Sequence, residues 1–521
     1  MPKALNRDIE ARIAQFCTAD EPGVAVGLAR HGKPLATIGH GLANLETGTP
    51  FTPQTRFRIC SISKQFLCAL VWRAHRAGLL DVMAHPSRYT GAFAGLDPSL
   101  TLIDLMQNRS GIRDHWVLAM WMGAKAEQRF TLDDGEEVIR RAGISMFAPN
   151  SQNLYCNANF VILERVLEAV SGSAYAELLH AHLLDPLAMH DSFLGVDCSL
   201  PLPGGPVGYR RHHGVFEPEV NGMHWSGPAG LVSTIDDMLK WEACLTGPLR
   251  AKRAFVADIL RATPFADGAT ALYASGIGVA HENGRTQISH SGALRGWRSA
   301  QHRHLPEGVS AYVFINRTAS PRALAIDIAR LAGAPPLWET NALRRRASSL
   351  PCGHFFSREL GLLFTLDDTP EGAVLLSFGD DTPLFQRADG AFESEDWRTI
   401  VSIDGRAELS VQQRDRNVRA RAVMMRGHAA AFAAHGEFVC DALGSRARIQ
   451  AGGESLSIVF EGIFGVGIHH ALHPISADLA WFDIPRGVDE MPPGRCVVFH
   501  DAKASTIEVS AALARRVVFR Q

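Results

Sequence analysis

Apolar residues recur along this chain with two different spacings, and the change from one to the other divides it. In the first 335 residues several stretches carry apolar residues three and four apart, the spacing of one helix face. They are Ile9–Phe16, Lys64–Leu80, Leu102–Gln107, Phe160–Val170, Tyr175–Leu184, Ile235–Thr246 and Arg322–Leu331, several of them ended by glycine or proline. Strand-like runs at Val24–Arg30 and Leu35–Leu42, joined by His31-Gly32-Lys33-Pro34, predict an early hairpin. Gln287–His290, Arg298–His302 and Ser310–Ile315 predict strands at the far end of the same region. Strands at both ends with helices between them fit one antiparallel sheet backed by a helical layer, assembled from distant pieces of sequence.

Beyond Gly333-Ala334-Pro335-Pro336, a linker-like stretch, helical spacing becomes scarce. Short alternating runs at Ala373–Phe378, Thr399–Ile403, Ala407–Gln412, Ser455–Phe460 and Ser505–Ala511 are mostly bounded by Gly, Asp and Pro, the pattern of small all-β domains. Gly353-His354-Phe355 followed by Leu360-Gly361 recurs as Gly436-Glu437-Phe438 followed by Leu443-Gly444, at a constant offset of 83. A fixed offset of this kind fits two copies of one β-barrel-like module. The expected organisation is multidomain α+β: a first domain over residues 1–335 with an antiparallel sheet and a helical layer, then small antiparallel β-barrels over 340–425 and 430–521.

Composition narrows the function. Of 521 residues 46% are hydrophobic and 20% charged, which excludes disorder and fibrous repeats. A formal net charge of −2 gives no global electrostatic case for nucleic acid or an anionic membrane. No uncharged apolar run approaches the ~20 residues that span a bilayer. The opening Met1–Glu10 carries two acids and no apolar stretch, unlike a secretory signal. Nine scattered cysteines with no C-x-x-C pair argue against a disulfide framework and a zinc site. His212-His213-Gly214 lies in a polar stretch without strand character and, with His224, reads as surface rather than as a metal site. A cytoplasmic protein with no metal or cofactor and a small partner is expected.

The chemistry concentrates in three places. In Arg58-Ile59-Cys60-Ser61-Ile62-Ser63-Lys64, Ser61 precedes Lys64 by three residues, which puts hydroxyl and amine on one helix face. Serine is a weak nucleophile until a nearby base takes its proton, and lysine serves as that base when burial lowers its pKa. Only seven lysines are present, and Lys64 alone has this serine spacing. Tyr155-Cys156-Asn157 places a hydroxyl able to relay a proton two residues from an amide able to bind a substrate amide. In Thr286-Gln-Ile-Ser-His290-Ser-Gly292-Ala293-Leu-Arg-Gly-Trp297, a strand histidine precedes a glycine that permits close backbone approach. The first two motifs alone also fit plainer readings: an N-cap serine with a solvated lysine, and a loop-edge tyrosine.

In order and context the three motifs resemble the serine β-lactamase and penicillin-binding superfamily, in its class C β-lactamase-like branch. Ser61/Lys64, Tyr155/Asn157 and His290/Gly292 match its Ser-x-x-Lys, Tyr-x-Asn and Lys/His-x-Gly motifs. The flanks Asp104–Asp114 and Gly227–Met238 resemble it too, the likeness covering about residues 20–330. Pro149-Asn150 departs from the Pro-Gly common in relatives. With two small barrels following, the whole chain is similar to the D-stereospecific aminopeptidase family. That resemblance implies catalysis by Ser61, Lys64, Tyr155 and His290 through an acyl-enzyme, with the N–H groups of Ser61 and Ala293 forming the oxyanion hole. Asn157, Gly292 and Ala293 would hold the substrate. A loop of the last barrel would reach the cleft, with Asp489 in Pro485–Gly494 holding the substrate's free amine and Glu490 as its rival. A small peptide or amide substrate and a homodimer are the implied partners. Other readings on the same motifs are an esterase, a D,D-carboxypeptidase, a β-lactam-processing enzyme, or a non-catalytic sensor. Cys60 and Cys156 abut the motif residues, so bulky thiol reagents are expected to inhibit sterically.

Overall fold

Val24–Arg30 (β1) is apolar at nearly every position rather than at alternate ones, and such a strand needs cover on both faces. The computed structural model shows that cover. It describes residues 2–521 except 144, 247–253, 283, 336, 338–350, 370–371, 378–379, 388, 397, 406, 426–431, 453–454 and 484–494. Besides β1, the central sheet contains Lys33–His40 (β2), Gly278–Glu282 (β3), Arg285–Leu294 (β4), Trp297–Leu305 (β5) and Val309–Ile315 (β6). Their spatial order is β3-β4-β5-β6-β1-β2, antiparallel throughout, with Val24 opposite Ile315 and Arg30 opposite Val309.

Chain-distant helices cover one face: Ile9 and Ile13 from Pro2–Ala14 and Leu324 and Ile328 from Pro321–Leu331 pack against Val24, Val26, Leu28 and Val313. On the other face Ala25, Tyr312 and Phe314 join a larger core with Phe57, Phe66, Ile235 and Trp241. The sheet is therefore sandwiched between helices rather than backed on one side. The helix expected over Lys64–Leu80 ends at Arg76, and Tyr175–Leu184 is α-helical to Leu179 and then forms a π turn. Helices His115–Trp121 and Leu132–Arg141 and strand β3 were not among the expected elements, although Leu132–Arg141 is strongly amphipathic and opens on a Thr131/Asp134 capping box.

Strands from Gly353–Ser357 to Val418–Met424 close into an eight-stranded barrel. From Gly436–Cys440 to Ala514–Arg520 a second ring closes where Ser445–Gly452 pairs with Ser455–Gly462, leaving the short Gly465–Val466 outside it. The 83-residue echo falls on the first hairpin of each barrel, where Gly361 and Gly444 take matching φ values of 66° and 62°. His213 and Gly214, read from sequence as surface loop, form instead the tip of a hairpin between Tyr209–His212 and Val215–Pro218, both with positive φ. That hairpin is exposed and mostly polar, so no apolar alternation announced it. Among the described residues no group of three or more His, Cys, Asp or Glu is placed to hold a metal, and no helix is long and apolar enough to cross a membrane.

The sheet interior also holds charge. Arg303 on β5 and Glu242 on Ile235–Thr246 are fully buried and paired twice, Nε to Oε1 at 2.9 Å and Nη2 to Oε2 at 2.5 Å. Ser310 and Tyr312 on β6 donate to the same carboxylate at 2.6 and 2.8 Å. Removing one partner strands the other's charge. Glu242→Ala is expected to cost ~3–5 kcal/mol of stability, read from the denaturant midpoint of unfolding.

Candidate active site

Ser61 lies in a short 3₁₀ turn, Cys60–Ser63, that runs directly into the helix Lys64–Arg76. Just before it, Cys60 takes a left-handed backbone, φ 55°, a conformation that costs a side-chain-bearing residue energy and persists where packing fixes it. Packing does so here: the Cys60 side chain is fully buried and its thiol donates to the Arg58 carbonyl at 3.0 Å. Across from this turn runs the end of β4. Strand β3 stops pairing at Gly278 opposite Ser289, so His290–Leu294 has no β3 neighbour and the serine turn packs against it. Contact is close enough to require Gly292, since a Cβ there would lie 2.6 Å from the Ile59 carbonyl oxygen and 2.8 Å from Cys60 Cβ, besides striking Ser299.

Lys64 Nζ is buried and stands 3.1 Å from Ser61 Oγ, 2.9 Å from Asn157 Oδ1 and 2.8 Å from the Pro228 carbonyl oxygen. Burial pushes its pKa down to about 7, against the opposing pull of Asp114. A neutral amine has two hydrogens and one lone pair. With the hydrogens given to Asn157 and Pro228, the lone pair faces the Ser61 hydroxyl. Tyr155 OH is 2.7 Å from Ser61 Oγ, and burial drives its pKa well up, so the phenol keeps its proton and acts as a donor. Of the two groups touching Oγ, Lys64 is the one able to accept a proton near neutral pH.

His290 sits beside this pair without touching Ser61. Its Nδ1 is 2.6 Å from the Ser291 carbonyl and therefore carries the hydrogen, leaving Nε2 to accept from Tyr273 OH at 2.8 Å. Burial, and then the Lys64 charge, lower its pKa to about 3. The ring is neutral and offers the cleft a fixed wall, not a positive charge. A cleft of about 610 Å³ brings together Ser61, Tyr155, Asn157, His290, Gly292 and Ala293, with Trp116, Val117, Met223 and Trp225 as an apolar side. Asp489 and Glu490 lie outside the described residues. Cys60 and Cys156 are both buried, and burial raises the Cys156 thiol pKa strongly, so the folded protein keeps these thiols from bulky reagents, contrary to the sequence expectation.

Several residues that spacing did not single out hold these groups. Asp114 accepts from the Asn157 N–H at 2.7 Å and from the Trp116 N–H at 3.0 Å. Glu164, buried on the helix Ala158–Ser171, accepts from Ser226 Oγ at 2.5 Å and the Gly227 N–H at 2.7 Å, fixing the turn whose next carbonyl, Pro228, receives Lys64. Asn150 takes φ 63°, so the turn that relatives build with glycine keeps its left-handed geometry, which asparagine tolerates best among the other residues.

The barrels take part. Leu154, next to Tyr155, is buried in the core of the first barrel with Phe355, Leu362 and Leu409, and the Asn153 N–H donates to the Arg416 carbonyl at 2.9 Å. From the second barrel the Leu513 carbonyl accepts the Asp114 N–H at 2.9 Å. The Asp104–Asp114 and Gly227–Met238 flanks contain Asp114 and Pro228. Glu164 and Tyr273 had no such signal.

Comparison with known proteins agrees along the whole chain. Residues 6–334 match the beta-lactamase family model, and residues 345–520 match the model for D-aminopeptidase, domain B. A D-aminopeptidase of Brucella ovis is 31% identical over 513 residues, covering 96% of both chains. Among solved structures, the D-amino acid amidase of Ochrobactrum anthropi aligns with a TM-score of 0.52 at 19% identity, over 64% of this chain and 98% of its own. The octameric penicillin-binding protein homologue of Pyrococcus abyssi aligns with a TM-score of 0.54 at 15% identity, over 100% and 99%.

The buried lysine and its support can each be tested. Acylation of Ser61 by an uncharged reagent, followed by mass spectrometry, is expected to rise with pH through about 7 as Lys64 loses its proton, and Lys64→Arg should abolish it. Glu164→Ala should cost ~1–3 kcal/mol of stability by stranding the Gly227 N–H and Ser226 hydroxyl, and should slow the same acylation. Burial raises the Glu164 carboxyl from 4.5 to about 7, so the unfolded chain releases that proton first. Its stabilising contribution is present below 4.5 and lost as pH rises through about 7. Urea titrations should show this loss reduced in Glu164→Gln.

Proposed function

The chain belongs to the D-aminopeptidases of the serine β-lactamase superfamily, and from that premise we propose that it releases N-terminal D-amino acids from peptides, amides or esters through an acyl-enzyme. The observation that carries this reading is the fully buried Lys64 amine in contact with Ser61, in a chain that keeps both barrels.

Lys64 takes the Ser61 proton as Oγ bonds to the substrate carbonyl carbon. The oxyanion that forms is met by the backbone N–H groups of Ser61 and Ala293, at the serine turn and the free edge of β4. Tyr155 gives its proton to the leaving nitrogen or oxygen as the bond to the carbonyl carbon breaks, and the proton that Lys64 took from Ser61 replaces it, leaving Lys64 neutral. Water then attacks the acyl-enzyme with Lys64 as base, restoring Ser61 and freeing the amino acid. Asn157 ties Lys64 in place and orients the substrate amide. Gly292 lets the serine turn close against β4, and neutral His290 supports Tyr273 and the Tyr155 wall.

Asp489 is assigned to the substrate's ammonium group, a charge-assisted contact that selects a free amine. The nine cysteines are in the thiol form, which suits a reducing compartment, and the cytoplasm is the proposed location. A homodimer is the proposed assembly.

D-Alanine amide and L-alanine amide assayed side by side should show hydrolysis of the D form, lost by at least ~10³-fold in Ser61→Ala. Failure of the wild type on both amides would overturn the reading. N-acetylation of the substrate should abolish turnover, and Asp489→Ala should raise KM about tenfold with a smaller effect on kcat. Equal rates on free and acetylated substrates would remove the role given to Asp489.

A further inference from the structure

The segment that carries Tyr155 is laid along a short stretch of backbone just past the helix Leu102–Met106. Gln107 offers its carbonyl to Asn153 Nδ2 at 2.8 Å, and Arg109 offers its own to the Asn150 N–H at 2.9 Å. Between them stands Asn108, fully buried and with a left-handed backbone at φ 55°. Asparagine is one of the few residues besides glycine that visits this conformation routinely.

Asn108 grips both chain neighbours of Tyr155. Its carbonyl accepts the Leu154 N–H at 2.8 Å, and its Oδ1 accepts the Cys156 N–H at 3.2 Å. The backbone under the tyrosine ring is therefore held before and after it, and the ring's hydroxyl stands 2.7 Å from Ser61 Oγ.

A chain of hydrogen bonds decides which way the Asn108 amide faces. Ser110 Oγ accepts the Ile112 N–H at 3.1 Å and gives its own proton to Asn159 Oδ1 at 2.7 Å. Asn159 then presents Nδ2 to Asn108 at 3.0 Å, so the Asn108 atom facing Asn159 and Cys156 is the acceptor Oδ1. Asn108 Nδ2 makes no full hydrogen bond among the described residues and acts only weakly on the Tyr273 hydroxyl. Of the two ends of this amide, the one fully engaged is the one that holds the Tyr155 segment.

We propose that Asn108 is a positioning residue for proton donation, holding the Tyr155 hydroxyl where it can protonate the leaving group. The inference rests on the aminopeptidase reading with Tyr155 as donor, and adds what sets the donor's place. When an amide is cleaved, the C–N electron pair goes to nitrogen, and the Tyr155 proton must reach that nitrogen as the bond breaks. A p-nitrophenyl ester instead releases a phenolate that carries the electron pair without a proton, so it needs the donor far less. A general structural defect would slow both reactions alike.

The test compares kcat/KM on D-alanine amide and on D-alanine p-nitrophenyl ester, the latter corrected for spontaneous hydrolysis. Asn108→Gly keeps the left-handed backbone and its carbonyl while removing the side-chain amide. It should lower kcat/KM on the amide by about 10²-fold, the effect of a small misplacement, and on the ester far less. Asn159→Ala leaves Asn108 in place with its amide untethered and should give a smaller loss in the same sense. If Asn108→Gly does not purify as a folded protein, Asn159→Ala decides in its place. Tyr155→Phe is expected to lose ~10²–10⁴-fold on the amide, again with a smaller effect on the ester. Equal losses on the two substrates in the deciding asparagine variant, or no loss, beside an amide-selective Tyr155→Phe, would overturn the role of Asn108 and leave the donor reading standing. A Tyr155→Phe variant without amide selectivity would overturn donor and positioning roles together. Failure of the wild type on the amide would overturn the aminopeptidase reading as well.

Discussion

The burial of one amine organises this protein. A lysine taken out of water cannot keep its charge cheaply, and at Lys64 burial lowers the pKa to about 7, so the free base exists where serine chemistry needs it. A neutral amine in an apolar site still requires partners for its hydrogens, and the surrounding structure is arranged to supply them. Asn157 Oδ1 and the Pro228 carbonyl take the two hydrogens, which leaves the lone pair for Ser61. Each partner is held in turn, Asn157 through Asp114 and Pro228 through the turn that Glu164 grips.

This chain of support explains why the barrels are structurally coupled to the chemistry. The Leu513 carbonyl of the second barrel accepts the Asp114 N–H, and Asp114 accepts the N–H of Asn157. Leu154 plugs into the first barrel's core one residue before Tyr155. A barrel that moved would carry Tyr155 or Asp114 with it, so the geometry around Ser61 depends on packing more than two hundred residues away in sequence. The same arrangement lets the first barrel line the cleft with Asp415 and Arg416.

Reactivity is shared unequally among the groups near Ser61. Tyr155 and His290 are packed beside Lys64, and the loss of water around them has opposite chemical consequences. It keeps the phenol protonated and the imidazole unprotonated, so one is a donor and the other a neutral wall. Cys60 and Cys156, which flank the motif residues in sequence, are closed off by the same packing and serve as apolar filler.

Local spacing determined what is chemically local. Ser61 and Lys64 share a helix face because they are three apart, Tyr155 and Asn157 border a helix start, and strand runs at both ends of the first region announce one sheet. The repeated Gly-x-Phe and Leu-Gly pattern marked the first hairpin of each barrel because glycine is needed at the left-handed turn. The helices on the second face were not expected, because cover on both faces is a property of packing and the reading took the sheet as backed by one layer. Tertiary structure alone decided the rest. Glu164 reads as an ordinary surface acid of an amphipathic helix until Ser226 and Gly227, more than sixty residues on, are folded against it. Tyr273, Leu513 and Arg416 likewise carry no signal in their own neighbourhoods. A pKa and the walls of a cleft are properties of what surrounds a residue, and those surroundings are brought together from distant sequence only by folding.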